Sequence, residues 1–316
     1  MLRVLFMGTP AFAVPTLQAV ASHFDLLAVV TRPDKGRGRG RKTTFSAVKE
    51  WALEAGVPVQ QPATLRDAGV QARLAAYRPD VIVVVAYGLI LPLQVLDIPP
   101  LGCVNVHGSL LPRHRGAAPI AWAILQDDDE TGVTTMLMDE GLDTGPMLLQ
   151  RALPLQPADT TEGVAVRLAE IGARLLVETL EGLQNDSIVA QPQPGAGITL
   201  APSFKKADGA VDWRQPAVAI DRQVRALQPW PGTFTFWRDE RLVLWSVRPR
   251  VDSAGRPPGT VVEVGEIGDG RILVACGEGT LEIMALQRSG SRRQSAAEFL
   301  RGRPLDIGER LAPHEE

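Results

Sequence analysis

The sequence predicts an α/β protein in two parts: a mostly parallel, Rossmann-like sheet domain, then a small OB-like β-barrel. Three observations predict it. Over the first 186 residues, apolar runs such as Arg3–Met7, Leu26–Val30 and Asp80–Ala86 alternate with helical stretches, and that alternation builds parallel sheet with right-handed crossovers. The last third instead carries five short alternating strands separated by polar turns, the pattern of a small barrel. Between them, Gln191-Pro192-Gln193-Pro194-Gly195-Ala196-Gly197 has no apolar period and reads as an extended linker. The expected domains are therefore residues 1–186, a linker over 187–204, and 205–316.

Composition is consistent with this division. At 316 residues and 45% hydrophobic content, two domains with real cores are expected. A net charge of −3 does not by itself indicate a polyanion binder. Cys103 and Cys276 lie far apart with no partner spacing, which suggests neither a disulfide framework nor a zinc site and fits a reducing cytoplasm. No apolar run approaches the ~18 residues of a membrane span, and the start is too short for a signal peptide. A monomer free of membrane is expected.

In chain order, Arg3–Met7 is a buried strand closed by Gly8-Thr9-Pro10. Ala13–Ala21 is a helix and Leu26–Val30 a second buried strand. Their turn has one glycine where a dinucleotide fingerprint needs three, so a nicotinamide cofactor is not expected. Ser46–Ala55 is a helix stopped by Gly56, Val57–Val59 a short edge strand, and Arg66–Tyr77 helical. Asp80–Ala86 is apolar throughout, the mark of a central parallel strand, and ends at a candidate ligand loop, Tyr87-Gly88-Leu89. Cys103–His107 is the next strand, Pro119–Leu125 a helix, Thr131–Met138 a strand, and Thr160–Leu183 a long helix capped by Thr160.

The stretch Arg32–Lys42, RPDKGRGRGRK, holds six basic residues against one Asp, with three glycines and no apolar side chain. Outside it and Lys49, the first 186 residues carry 9 basic and 19 acidic groups. A solvated loop is one reading. The other is a phosphate-contacting loop, because glycine lets neighbouring guanidinium groups approach a backbone closely. The second domain is nearly neutral, with Arg288, Arg292 and Arg293 as its candidate cationic face.

The chemistry centres on Asn105-Val106-His107, followed by the turn Gly108-Ser109-Leu110-Leu111-Pro112. Residues two apart on a strand share a face, and strand ends are where ligands bind in open α/β sheets. No activated nucleophile accompanies the pair: Gly-x-Ser-x-Gly is absent and Cys103 lacks a basic partner. The acidic loop Asp139–Asp143 has no ligand spacing for a metal. What remains is an amide, a proton carrier and the carboxylate of Asp143, a set suited to direct transfer of an acyl group to an amine. Asn105 and His107 would donate to the oxyanion, and Asp143 would orient the imidazole and help remove the amine proton. The alternative is structural: Asn105 caps the loop and His107 is a satisfied buried histidine.

These residues carry a resemblance. Cys103–Arg113, Arg115-Gly116-Ala117-Ala118-Pro119-Ile120 and Gly141-Leu142-Asp143-Thr144-Gly145 resemble the 10-formyltetrahydrofolate-dependent formyltransferases. So do Met7–Pro10, Val85–Pro92 and Pro229-Trp230-Pro231, and the likeness spans the chain. It implies Asn105, His107 and Asp143 as the catalytic residues. Tyr87, Gly88, Leu89, Ser109, Leu110, Leu111 and Pro112 would contact the folate, which serves as formyl donor without a metal. Lys35, Arg37, Arg39, Arg41 and Lys42 would enter the acceptor end of a tRNA, with Arg39 the key arginine. The implied acceptor is the α-amine of methionyl-initiator tRNA. A formyltransferase for a small amine, a glycinamide or amino sugar nucleotide, would explain the core but not the cationic loop and barrel. A non-catalytic RNA-binding protein would not need the intact Asn105, His107 and Asp143.

Overall fold

A computed structural model describes residues 1–37, 42–252, 255–265 and 270–312. They pack as two compact units. Met1–Pro119, Glu130–Pro154 and Val164–Pro202 form the first; Ile120–Asp129, Leu155–Gly163 and Ser203–Glu316 form the second.

The first unit is a seven-stranded sheet with helices. In chain order it contains β1 (Arg3–Gly8), α1 (Val14–His23), β2 (Asp25–Val30), β3 (Lys35–Arg37), β4 (Lys42–Thr44), α2 (Ala47–Glu54), β5 (Val59–Gln60), α3 (Ala68–Ala76), β6 (Val81–Val85), α4 (Leu93–Leu96) and β7 (Cys103–His107). There follow α5 (Pro119–Leu125), which runs into the second unit, then β8 (Glu130–Leu137), β9 (Met147–Pro154) and α6 (Thr161–Gln184). The sheet order is β5-β2-β1-β6-β7-β8-β9. The first five strands are parallel, and β8 is antiparallel to both its neighbours. All of β6 is buried, which is why its sequence is apolar without alternation. The chain runs outward from β1 to β2 and β5, then returns to add β6 and β7 on the other side. The ends of β1 and β6 are therefore the switch point at which such sheets bind ligands.

Two features of this unit were not expected from the sequence. β9 is an edge strand with only Leu148 buried, so it shows little apolar signal. The basic stretch is not an open loop at its root: β3 and β4 pair antiparallel, with Lys35 opposite Thr44 and Arg37 opposite Lys42. The expected helix and strand positions otherwise match to within a few residues, and Thr160 does cap α6, accepting from the Gly163 N–H at 3.2 Å.

The second unit holds α7 (Ala217–Ala226), β10 (Thr233–Trp237), β11 (Glu240–Arg250), β12 (Val261–Val264), β13 (Ile272–Ala275), β14 (Thr280–Arg288), β15 (Gln294–Ser295) and α8 (Ala296–Gly302). The five expected strands form one antiparallel sheet, β10-β11-β14-β13-β12. Its two edges are bridged by the tail. Phe236 on β10 exchanges both backbone hydrogen bonds with Ala312, at 2.8 and 3.0 Å. On the other side, Leu311 donates to the Gly259 carbonyl and Val261 to that of Glu309, each at 2.8 Å. The tail thus closes the sheet into a barrel and removes its exposed edges. Trp213, Ile220, Leu244, Ile283, Phe299 and Leu311 share its core.

Candidate active site

β7 carries Asn105 and His107 on one face, both more than nine-tenths buried, with β6 on one side and β8 on the other. The His107 Nε2 lies 3.0 Å from the His114 carbonyl. A carbonyl only accepts, so Nε2 carries the hydrogen, and Nδ1 is the atom on which a proton can come and go. Nδ1 faces the Asp143 carboxylate at 3.7 Å. The Asn105 amide reaches the other Asp143 oxygen at 3.4 Å. Both distances are longer than a formed hydrogen bond, as is common where the reacting molecule completes the contacts. Asn105, His107 and Asp143 therefore converge, although Asp143 is 36 positions beyond the histidine.

Asp143 is held by backbone. Its φ of 52° lies in the left-handed region, which Asp tolerates better than most residues. The Gly116 N–H donates to Oδ2 at 2.8 Å. Gly116 must be glycine: its φ is 127°, and a Cβ there would lie 2.6 Å from the Ala201 carbonyl oxygen. Gln193 donates from its amide to the carbonyls of Asp143 and Gly145, each at 2.8 Å. Its oxygen accepts two hydrogen bonds from Arg115, at 3.0 and 2.7 Å.

The stretch expected to be an extended linker is thus bonded to the first unit at Gln191, Gln193, Thr199 and Ala201. Gln191 pairs with Met147, and Thr199 and Ala201 bond to Arg115 on either side of their bridge. Thr199 Oγ1 also accepts from the His114 N–H at 2.8 Å, fixing the residue whose carbonyl orients His107. Sequence reasoning missed Gln193 and Thr199, because neither lies in a periodic segment; His114, close to the site in sequence, is buried rather than placed on a surface turn. The Arg115 guanidinium is engaged by Gln193.

The loop after β7 is internally committed. Ser109 Oγ donates to the Arg113 carbonyl at 2.6 Å, so its proton is not available to an attacking oxygen. Thr134 of β8 donates to the Ser109 carbonyl and accepts from the Leu111 N–H. Gln150 of β9 donates to the Leu111 carbonyl at 2.9 Å. Ser109 and Leu111 are buried, whereas Leu110 and Pro112 are partly exposed. Cys103 is buried beneath Asn105, and burial pushes its thiol up to about 12. It is protonated at neutral pH and is no nucleophile. Among the described residues, no group of three or more His, Cys, Asp and Glu is placed to hold a metal ion.

A cleft of about 550 Å³ opens at the switch point, lined among others by Thr9, Arg32, Phe45, Ser46, Tyr87 and Gly88. Tyr87 and Gly88 reach it, while Leu89 and Ser109–Pro112 do not line it. The Tyr87 ring packs into the core, and its hydroxyl has no hydrogen-bond partner among the described residues. Burial pushes that phenol up to about 12. Its carbonyl accepts from Thr9, and the Gly88 carbonyl accepts from Arg32.

The basic hairpin is rooted beside this cleft. Asp34 pairs with Lys49 at 2.5 Å and accepts from Gln61 at 2.8 Å. Lys49 also stands 4.0 Å over the Phe45 ring. Lys35 and Arg37 lie on β3 and Lys42 on β4; Arg39 and Arg41 lie outside the described residues. In the second unit, Arg288 pairs with Glu240 and Arg292 with Glu298, so two of the three expected surface cations are engaged by carboxylates.

Comparison with known proteins agrees with this geometry. Residues 2–180 match the formyl transferase family, and residues 203–304 match the formyl transferase C-terminal domain. The chain is 48% identical to the methionyl-tRNA formyltransferase of Trichlorobacter lovleyi, covering 99% of this chain and 98% of the relative. It is 49% identical to that of Aromatoleum aromaticum, covering 98% and 97%. Among solved structures, the sugar 3N-formyl transferase WlaRD has a TM-score of 0.66 at 17% identity, covering 92% of this chain and 99% of that one. HypX from Aquifex aeolicus in complex with tetrahydrofolic acid has a TM-score of 0.63 at 18% identity, covering 99% and 51%. At such identities these two show the fold alone. With both family regions matched and nearly half its residues shared end to end with full-length relatives, the chain belongs to the formyl transferase family, among the methionyl-tRNA formyltransferases.

Proposed function

We propose that this protein transfers the formyl group of 10-formyltetrahydrofolate to the α-amine of methionyl-initiator tRNA, giving N-formylmethionyl-tRNA and tetrahydrofolate. The observation that carries the reading is the convergence of Asn105, His107 and Asp143 at the end of β7 with no nucleophile beside them. The amine attacks the formyl carbon directly. Asn105 Nδ2 holds one N–H toward Asp143 and keeps a second for the developing oxyanion. His107, protonated at Nδ1, is the other donor, while its Nε2–H stays on the His114 carbonyl. Asp143 steadies the imidazolium and takes the amine proton, directly or through water. As the tetrahedral intermediate collapses, the bond from the formyl carbon to N10 breaks, and N10 leaves as the amine of tetrahydrofolate, taking up the proton that Asp143 received.

Tyr87, Gly88, Leu89 and the Ser109–Pro112 turn would receive the folate, Leu110 and Pro112 being the partly exposed residues of that turn. Lys35, Arg37, Arg39, Arg41 and Lys42 would hold the acceptor-end phosphates. Two unpaired, buried cysteines support a reducing cytoplasmic setting. Incubation with 10-formyltetrahydrofolate and methionyl-tRNA should yield formylmethionine. Equal turnover of a glycinamide or amino sugar nucleotide would defeat the assignment of the tRNA acceptor.

A further inference from the structure

We infer that Gln193 is a positioning residue for formyl transfer, holding the Asp143 backbone where the carboxylate meets His107; this rests on the reading above. The orientation of its amide is unambiguous. Two carbonyls, of Asp143 and Gly145, face one end and can only accept; the Arg115 guanidinium faces the other and can only donate. The amide is therefore used at both ends at once. The bonds also form a closed circuit. Gln193 ties the Asp143 main chain to Arg115, and the next residue, Gly116, donates its N–H to the Asp143 carboxylate. Main chain and carboxylate of one residue are thus fixed to the same turn. Asp143 needs such a clamp, because its left-handed backbone is not one it would choose alone. The carboxylate stands 3.7 Å from His107, so a small loop shift decides whether the two can exchange a proton.

The isosteric Gln193→Glu separates this role from mere anchoring of Arg115. Glutamate keeps and strengthens the contact with Arg115, but it loses both donors and sets a charge against two carbonyls. Under the proposal, Gln193→Glu and Gln193→Ala both lower kcat roughly 10²-fold, with KM for the folate and for methionyl-tRNA within about 2-fold of wild type. Amides of the peptide spanning residues 139–145 exchange at least ~10-fold faster in Gln193→Glu, while the rest of the chain keeps its protection. A Gln193→Glu enzyme with wild-type kcat, or unchanged exchange in that peptide, overturns the proposal. Wild-type protein that fails to formylate methionyl-tRNA would instead overturn the assigned reaction, and the exchange measurement would still decide whether Gln193 holds the loop.

Discussion

Under the proposed mechanism, replacing His107 by alanine removes an oxyanion donor and the group Asp143 faces, so His107→Ala and Asp143→Ala should each lower formyl transfer by ~10² or more. Methionyl-tRNA binding should be spared. Single-turnover rates near wild type would refute this. A second residue-scale expectation concerns the thiols. Burial lifts both Cys103 and Cys276 to about 12 from 9.0. Each therefore stays protonated in the folded chain until well above the unfolded value, and folding opposes ionisation as pH rises through 9.0. Iodoacetamide at mildly alkaline pH should label neither cysteine in the native protein and both in denaturant, as read by mass spectrometry. At this scale the sequence was partly legible. Asn105 and His107 could be placed on one face because strand period is a local property. Gln193 could not be found, because its partners are 48 to 78 positions away and both its neighbours are Pro.

At the scale of elements, the central strands were readable because burial on both faces leaves an unbroken apolar run, as in β6. β9 and the β3–β4 hairpin were not, since edge strands rich in polar residues look like loops. The hairpin root has its own pH signature. Its hydrogen bond from Lys49, and then that from Gln61, hold the Asp34 carboxyl below 3.8. A depressed folded value favours the ionised form, so this contribution is present above 3.8 and is lost as pH falls through the lower folded value. The urea midpoint of Asp34→Asn should fall short of wild type at neutral pH and converge with it in acid. The tail is a second element with a measurable role. Deleting residues 308–316 removes buried Leu311 and the bonds that join β10 to β12. The loss should be on the order of 5 kcal/mol, from one buried leucine and several backbone hydrogen bonds, read by chemical denaturation.

Across the whole molecule, the basic stretch stands out because the remainder of the first 186 residues is acidic. Its use of methionyl-tRNA should therefore weaken with salt, and Arg39→Ala should reduce the log–log salt slope by about 1 while folate binding is unchanged. An unaltered slope would remove that residue from the tRNA contact. The two-part architecture was legible because composition and period change together near residue 204. What composition could not show is that the residues between the two family matches, 181–202, are structurally part of the first unit. That membership limits how such enzymes can be recombined. A crossover at residue 180 would separate Gln193 and Thr199 from the Asp143 and His114 they hold. A chimera that takes a relative's barrel after Pro202 keeps those partners together. The first kind of hybrid should fold but turn over poorly, and the second should retain its chemistry, so inheritance of the catalytic module runs past the edge of the family's first domain.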